Sequence, residues 1–251
     1  MSVNDGDRGV PPVTETWSIE RSWMGDTALL LRLPQSFPNA SIRAAAVLLT
    51  IDQILRKHLA QVPGVRDCVL AYRSLAIYFD PDEISPDTLR ARVDAALEGA
   101  TAASTNVERP DAITIPVCYG GSFGPDLEEV ARHAKLAPDE VVRLHTAGSY
   151  DVAMIGFAPG FPYLTGLDPR IAAPRKPTPR ARVEAGSVGI AGRQTGIYSF
   201  ATPGGWQIIG RTPVPLFNPA RWPPTWLEPG MRVTFRAIDE EEYDGIRRAY
   251  T

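Results

Sequence analysis

The sequence predicts an α+β chain of two domains, a small α+β unit followed by an all-β body, on three observations. Apolar residues over 16–98 switch between strand and helix periods in the order ββαββα. After Tyr150 helical periodicity disappears, and short apolar runs (VAMIGF, SVGIAG, GIYSF, WQIIG, VPLF, RVTF) alternate with Gly and Pro clusters up to Ile238. Between the halves, GATAASTNVERP at 99–110 has the small, polar composition of a linker. The expected divisions are a disordered tail over 1–15, an α+β domain over 16–98, the linker, a β domain over 111–240 and a C-terminal tail over 241–251.

From Thr16 to Leu33 two strands flank a Gly25-Asp26 turn, and Pro34 and Pro38 break the pattern. Asn39 or Ser41 can cap a helix whose apolar residues Val47, Leu48, Ile51, Ile54, Leu55 and Leu59 recur at three- and four-residue steps. His58 lies near that stripe and reads as structural. Pro63-Gly64 ends the helix, and a strand pair follows over 65–72 and 75–79. Ser85-Pro86-Asp87 opens a second helix through about Leu97, with Pro86 suited to a first turn. The order resembles a ferredoxin-like layout, and nothing in it suggests chemistry.

The second half opens with a strand over 112–117. Helix signals follow at Gly124-Pro125-Asp126 and at Pro138-Asp139-Glu140, the second helix carrying His145 in its last turn and stopping at Gly148, a residue able to take a left-handed cap. The stretch from Gly186 to Thr212 reads as short strands punctuated by glycine, where a missing side chain lets another backbone or a ligand come close. Glu240, Glu241, Glu242 and Asp244 read as a solvated terminal turn.

The formal charge of −3, from 26 basic and 29 acidic residues, gives no drive toward nucleic acid or anionic membrane. Cys68 and Cys118 have neither disulfide-framework nor zinc-ligand spacing, so reduced thiols are expected. No signal peptide or membrane-spanning run is visible, which leads us to expect a cytoplasmic protein.

Charge is locally uneven: between Arg170 and Arg236 lie ten basic residues and two acids, Glu184 and Glu228. Arginines and backbone N–H groups lining a concave site would attract a small phosphate- or carboxylate-bearing substrate; spread round the exterior, they would be ordinary surface charge. No GxxxxGK[ST] or GxGxxG motif occurs, and no metal-ligand cluster is apparent. Acid–base candidates are few: His145, Asp151, Asp168 and Glu184. Phosphoryl transfer normally requires carboxylates to hold magnesium, so their scarcity suggests that a partner chain completes the site. The loop from Met154 to Tyr163, rich in Pro, Gly and aromatics, reads as a rigid apolar pocket wall, a docking surface, or a buried corner.

The stretches PVCYGGSFGPDLEEVA, GFAPGFPYLTGLD, PRKPTPRARVEAGSVGIAG, RQTGIY and PGGWQIIGRTP resemble one family: the bacterial 5-oxoprolinase B subunits, also described as allophanate hydrolase subunit 1 and including the kinase inhibitor KipI. The resemblance implies a cyclophilin-like β barrel after the small α+β domain. The partner it implies is a homologous larger chain, of the type described as the C subunit of 5-oxoprolinases or as allophanate hydrolase subunit 2. It further implies ATP-dependent opening of 5-oxo-L-proline to L-glutamate in a complex, with the chain inactive alone. ATP is then the cofactor, its Mg liganded mainly by the nucleotide or the partner; no biotin-carrying segment is visible. Alternatives are an amide hydrolase or carboxyltransferase subunit acting on urea or allophanate, and a KipI-like protein docking on a sensor histidine kinase.

By the resemblance, His145, Tyr198 and Arg211 are expected to be catalytic. Substrate or nucleotide would be bound by Gly156, Phe157, Pro159, Gly160 and Tyr163 of the loop, with Arg193, Gln194, Thr195, Gly196, Gly204, Gly205, Trp206 and Thr212. The sequence departs from the family's frequent Asn at Arg193 and Pro at Glu184.

Overall fold

A computed structural model describes residues 19–34, 42–98 and 112–250, and the chain divides into two units, Met1–Glu108 and Arg109–Thr251. The expected tail at 1–15, the capping residues Asn39 and Ser41, and the linker at 99–110 lie outside the described residues.

In the first unit, β1 (Glu20–Met24) and β2 (Ala28–Arg32) pair antiparallel across Gly25, whose φ of +62° suits glycine. Helix α1 (Ile42–Leu59), strands β3 (Val65–Leu70) and β4 (Ser74–Phe79), and helix α2 (Pro86–Glu98) follow. Ser85 Oγ accepts the Thr88 N–H at 3.2 Å, so the α2 start combines a side-chain cap with Pro at the first position. The sheet order is β1-β2-β4-β3. This is the ferredoxin-like arrangement begun from a different strand, since joining the end strands of βαββαβ by a hairpin gives ββαββα with the same neighbours. Leu29, Leu31, Leu75 and Ile77 from the sheet pack on Leu48, Ile51, Leu55, Leu89 and Val93 from the helices. His58 is exposed and its Nδ1 lies 2.8 Å from Ile54 O on its own helix.

The second unit runs β5 (Ile113–Tyr119), α3 (Leu127–Ala134), α4 (Pro138–Thr146), β6 (Ser149–Ile155), β7 (Pro162–Thr165), β8 (Arg180–Val183), β9 (Ser187–Ala191), β10 (Gln194–Ile197), β11 (Thr202–Gly204), β12 (Gln207–Arg211), β13 (Arg232–Ile238) and α5 (Glu240–Arg248). A closed barrel forms in the order β10-β7-β6-β13-β5-β12-β9, with β9 paired to β10. Strands β8 and β11 make a separate two-stranded ribbon. Within the barrel β5 and β13 run parallel. Its interior holds Ile115, Val152, Leu164, Val188, Ile190, Ile197, Ile209 and Phe235, joined by Val130, Val141 and Leu144 of the two helices.

Three expectations are corrected. Helix α3 begins at Leu127, so Pro125 stands ahead of the helix and not in its first turn. Gly148 follows α4 without a positive φ; its missing Cβ instead makes room for Tyr150, whose hydroxyl donates to His145 O at 2.7 Å. The acidic C-terminal segment is a helix. Asp239 Oδ1 accepts the Glu242 N–H at 2.8 Å, three glutamates favour the positive helix end, and buried Tyr243 packs with Cys118, Ile238 and Phe123.

Candidate functional site

Strand alternation splits β10 between two environments: Thr195 and Ile197 face the barrel interior, and Tyr198, just beyond the strand, joins a second apolar cluster on the other face. That cluster holds Phe161, Val183, Ala191, Tyr198, Trp206 and Ile208, with Tyr163 against it. Its rings meet edge-on, Phe161 lying 5.2 Å from Tyr198 and 5.4 Å from Trp206, and Tyr163 5.7 Å from Trp206. Glycines allow this approach: a Cβ on Gly204 would sit 2.3 Å from Tyr198 Oη, and one on Gly196 would meet Pro162 O at 2.8 Å and the Trp206 ring at 3.0 Å.

Over this layer hangs the loop between β6 and β7. Ala158 N–H donates to Gly156 O at 2.7 Å, which makes Phe157 the centre of a γ-turn with φ +64°. For a bulky residue this conformation costs about 1–2 kcal/mol, and strain of this kind gathers at functional loops. The Phe157 ring stays 59% exposed and points an edge at Phe161 and Tyr198. Pro159 O accepts the Ser199 hydroxyl, and Gly160, at φ +74°, lies against Phe217.

Beside the aromatic layer is an ion cluster around a buried carboxylate that sequence reasoning missed. A register shift between Ile208 and Gly210 in β12 marks a bulge, where the Ile208 N–H donates to Asp126 Oδ2 at 2.7 Å and Ile208 O accepts the Asp126 N–H at 2.8 Å. Asp126 Oδ1 takes Lys176 Nζ at 3.0 Å and an Arg180 terminal nitrogen at 2.6 Å. Burial alone would raise this carboxyl, only 3% exposed; hydrogen bonds from Arg180, the Ile208 N–H and Lys176 hold it below the usual range. The Lys176 N–H donates to Gly205 O at 2.8 Å, tying the basic segment to the glycines before Trp206. The second Arg180 terminal nitrogen, Nη1, is buried without a partner among the described residues, and exposed Arg175 acts electrostatically on Tyr163 and Tyr198. Asp126, Lys176 and Arg180 all fall within the family-like stretches; Pro-Asp-Leu simply reads as a helix start.

The structure thus brings together Gly156, Phe157, Tyr163, Gly196, Tyr198, Gly204 and Trp206 around Phe161, with Gly205 joined through Lys176. Tyr198 is 1% exposed, and burial pushes its hydroxyl pKa up. His145 stands elsewhere, inside the barrel, 0% exposed and stacked on Phe235 at 4.5 Å. Its Nε2 lies 3.0 Å from Thr195 Oγ1, which itself donates to Gly189 O, and its Nδ1 lies 2.8 Å from Tyr119 Oη. Because the Thr195 proton is committed to Gly189, Nε2 must donate and Nδ1 must accept from Tyr119. Burial lowers the imidazole pKa to about 3. His145, expected to be catalytic, thus lies with Thr195 in the barrel core, both ring nitrogens occupied and apart from the aromatic layer.

Arg211 and Thr212 close the other end of β12 from Trp206. The Arg211 guanidinium lies 6.0 Å from the Phe123 ring, on the side where Tyr243 packs, and Thr212 Oγ1 accepts the Val214 N–H. Arg193 is exposed beside Gly192 in the β9–β10 turn, and half-buried Gln194 pairs with Ala191. The acid candidates Asp168 and Glu184 are bound to Arg170 and Arg182 on the surface, and half-buried Asp151 lies in β6. Among the described residues, no group of three or more His, Cys, Asp or Glu side chains could hold a metal ion, and no helix is long and apolar enough to cross a membrane.

The family model for the carboxyltransferase domain, subdomains C and D, matches residues 19–227. A Bacillus subtilis protein named as the B subunit of 5-oxoprolinase is 43% identical over 246 residues, which cover 94% of this chain and 98% of that protein. Its namesake in Escherichia coli O157:H7 is 39% identical over 84% of this chain and 93% of its own length. The crystal structure of TTHA0988 superposes with a TM-score of 0.71 at 37% identity over 84% of this chain, which spans only 40% of the TTHA0988 chain. The Kluyveromyces lactis urea amidolyase, at 20% identity and a TM-score of 0.66 over 92% of this chain and 15% of its own, shares the fold. Matched over most of its length by that family model and by two B subunits, the chain belongs to the carboxyltransferase-domain family, subdomains C and D, with the 5-oxoprolinase B subunits.

Proposed function

We propose that this chain is the B subunit of a cytoplasmic ATP-dependent 5-oxoprolinase, opening the lactam of 5-oxo-L-proline to L-glutamate with a homologous larger subunit. The observation that carries this reading is the 43% identity to a protein named as a 5-oxoprolinase B subunit, along 98% of that protein. ATP, when bound, supplies the phosphoryl group that activates the lactam oxygen, leaving the ring carbon open to water. The residues present suit an oxyanion: Arg180 keeps a buried nitrogen without a partner among the described residues, Lys176 shares Asp126 with it, and Arg175 precedes Lys176 in the chain. Their guanidinium and ammonium groups bind and orient negative charge, and Tyr163, Trp206 and Phe157 form an apolar wall that excludes water. In this reading the magnesium that accompanies ATP would be held mainly by the nucleotide or the partner chain.

The test is reconstitution with the remaining subunits of the complex, the homologous larger one among them. Phosphate release and glutamate formation are expected only with 5-oxoproline and all subunits present, and none from this chain alone. Absence of 5-oxoproline-dependent turnover in the complete mixture refutes the reading. One observation favours a second reading, docking on a sensor histidine kinase: the exposed Phe157 in its strained turn offers a rigid aromatic contact. Kinase autophosphorylation measured with and without the chain decides it; an unchanged rate excludes inhibition.

A further inference from the structure

We propose that Asp126 is a positioning residue that holds Lys176 and Arg180 as a subsite for an oxyanion, phosphate or carboxylate, at the edge of the aromatic layer. The proposal rests on the function proposed above only for which oxyanion is bound. One buried carboxylate faces two cations at 2.6 and 3.0 Å, and Glu129 approaches Lys176 only to 3.7 Å, half-exposed. Exposed Arg175 adds a cation for which no ion pair is seen among the described residues, so the segment from Arg175 to Arg180, which holds no acid of its own, keeps an excess of positive charge. A carboxylate serving only as a structural staple would be matched by its partners. Here Arg180 offers Nη1, buried and unused, and the Lys176 and Arg180 side chains remain 23% and 28% exposed, within reach of a ligand.

The backbone makes the arrangement stiff. Asp126 is fixed on both sides to Ile208, Lys176 is fixed to Gly205 through its N–H, and Arg180 pairs with Gly204 in the ribbon. A single carboxylate therefore joins the start of α3, the bulge of β12 and the ribbon, and aims two cations from a set direction. Charge and position make opposite predictions. Asp126→Asn removes one negative charge, raising the net charge by one, and would tighten oxyanion binding if net charge governed it. If position governs, the two cations repel, swing apart, and binding weakens.

The experiment is calorimetric titration of the folded full-length chain with two probes, pyrophosphate and 5-oxoproline. Arg180→Gln and Lys176→Met are expected to weaken binding of at least one probe by about tenfold or more, Lys176→Arg to restore it in part, and Asp126→Asn to weaken it by a similar factor despite the raised net charge. Loss confined to pyrophosphate assigns the subsite to a phosphate, and loss confined to 5-oxoproline assigns it to the substrate carboxylate. If Asp126→Asn does not fold, the Arg180 and Lys176 variants decide, since both leave the Asp126–Ile208 bonds in place. Binding as in the wild type by those two variants, tighter binding by Asp126→Asn, or no binding of either probe by the wild type overturns the proposal. Because this readout is binding, it stands apart from turnover: a complex without 5-oxoprolinase activity whose chain still loses pyrophosphate affinity in Arg180→Gln keeps the subsite and discards the substrate.

Discussion

Replacing His145 with Gln should remove a specific acid sensitivity from the barrel. In the folded chain burial holds the imidazole pKa at about 3, against 6.5 for a free side chain. The unfolded chain therefore binds a proton that the folded chain refuses over this window. Stability is greatest above pH 6.5 and falls as pH drops toward 3. Moving from neutral pH to about pH 5 spends 1.5 of the 3.5 pH units, which amounts to about 2 kcal/mol. With a urea dependence of about 2 kcal/mol per molar, the unfolding midpoint falls by roughly 1 M. His145→Gln starts from a lower midpoint at neutral pH, because Gln fills the core less well and meets Thr195 and Tyr119 imperfectly, but lacks this extra displacement. Carboxylates held low by partners, such as Asp126, lose their contribution only as pH falls below their ordinary range, and the difference between wild type and variant cancels other groups. Tryptophan fluorescence during urea unfolding at the two pH values reads the result. An equal displacement in both proteins refutes the buried, neutral imidazole.

Three further outcomes follow from local geometry. Gly204→Ala forces a Cβ to within 2.3 Å of Tyr198 Oη and should cost about 1–3 kcal/mol, read as a lowered Tm. Phe157→Gly relaxes a positive φ while losing only edge contacts, so stability should shift by less than about 1 kcal/mol by urea unfolding, although oxoprolinase turnover drops if this ring walls the site. Tyr243→Ala removes the main anchor of α5, and hydrogen exchange should then show rapid opening of Glu240–Arg248 while the barrel stays protected.

The barrel could be read in the sequence because its strands carry their own punctuation: the glycines between Gly186 and Thr212 stand where strands turn or rings cross. The final helix was hidden because EEEYDGIRR has two apolar side chains, Tyr243 and Ile246, and a glycine, too weak a pattern to show a face. The basic excess between Arg170 and Arg236 was visible as a sum, but not its division. Arg211 and Trp206 lie at opposite ends of β12, and side-chain direction along a bulged strand depends on pairings distant in sequence. Asp126 was missed for a related reason: an acid before a helix usually turns back to cap it, and this one turns outward to a strand 82 residues further on. The burial of His145 was hidden as well, since its partners Tyr119 and Thr195 lie 26 and 50 residues away in the chain.

The parallel pairing of β5 with β13 has a mechanical consequence. These are the first and last strands of their unit, and Ile113 lies opposite Val233 while Cys118 lies opposite Ile238. Tension drawn along the chain from the two ends of this unit would slide the two strands lengthwise past each other, so that the hydrogen bonds between them bear load together instead of peeling apart singly. Pulled through its termini, the barrel should resist in shear, and pulled across the β6–β7 hairpin it should open like a zip.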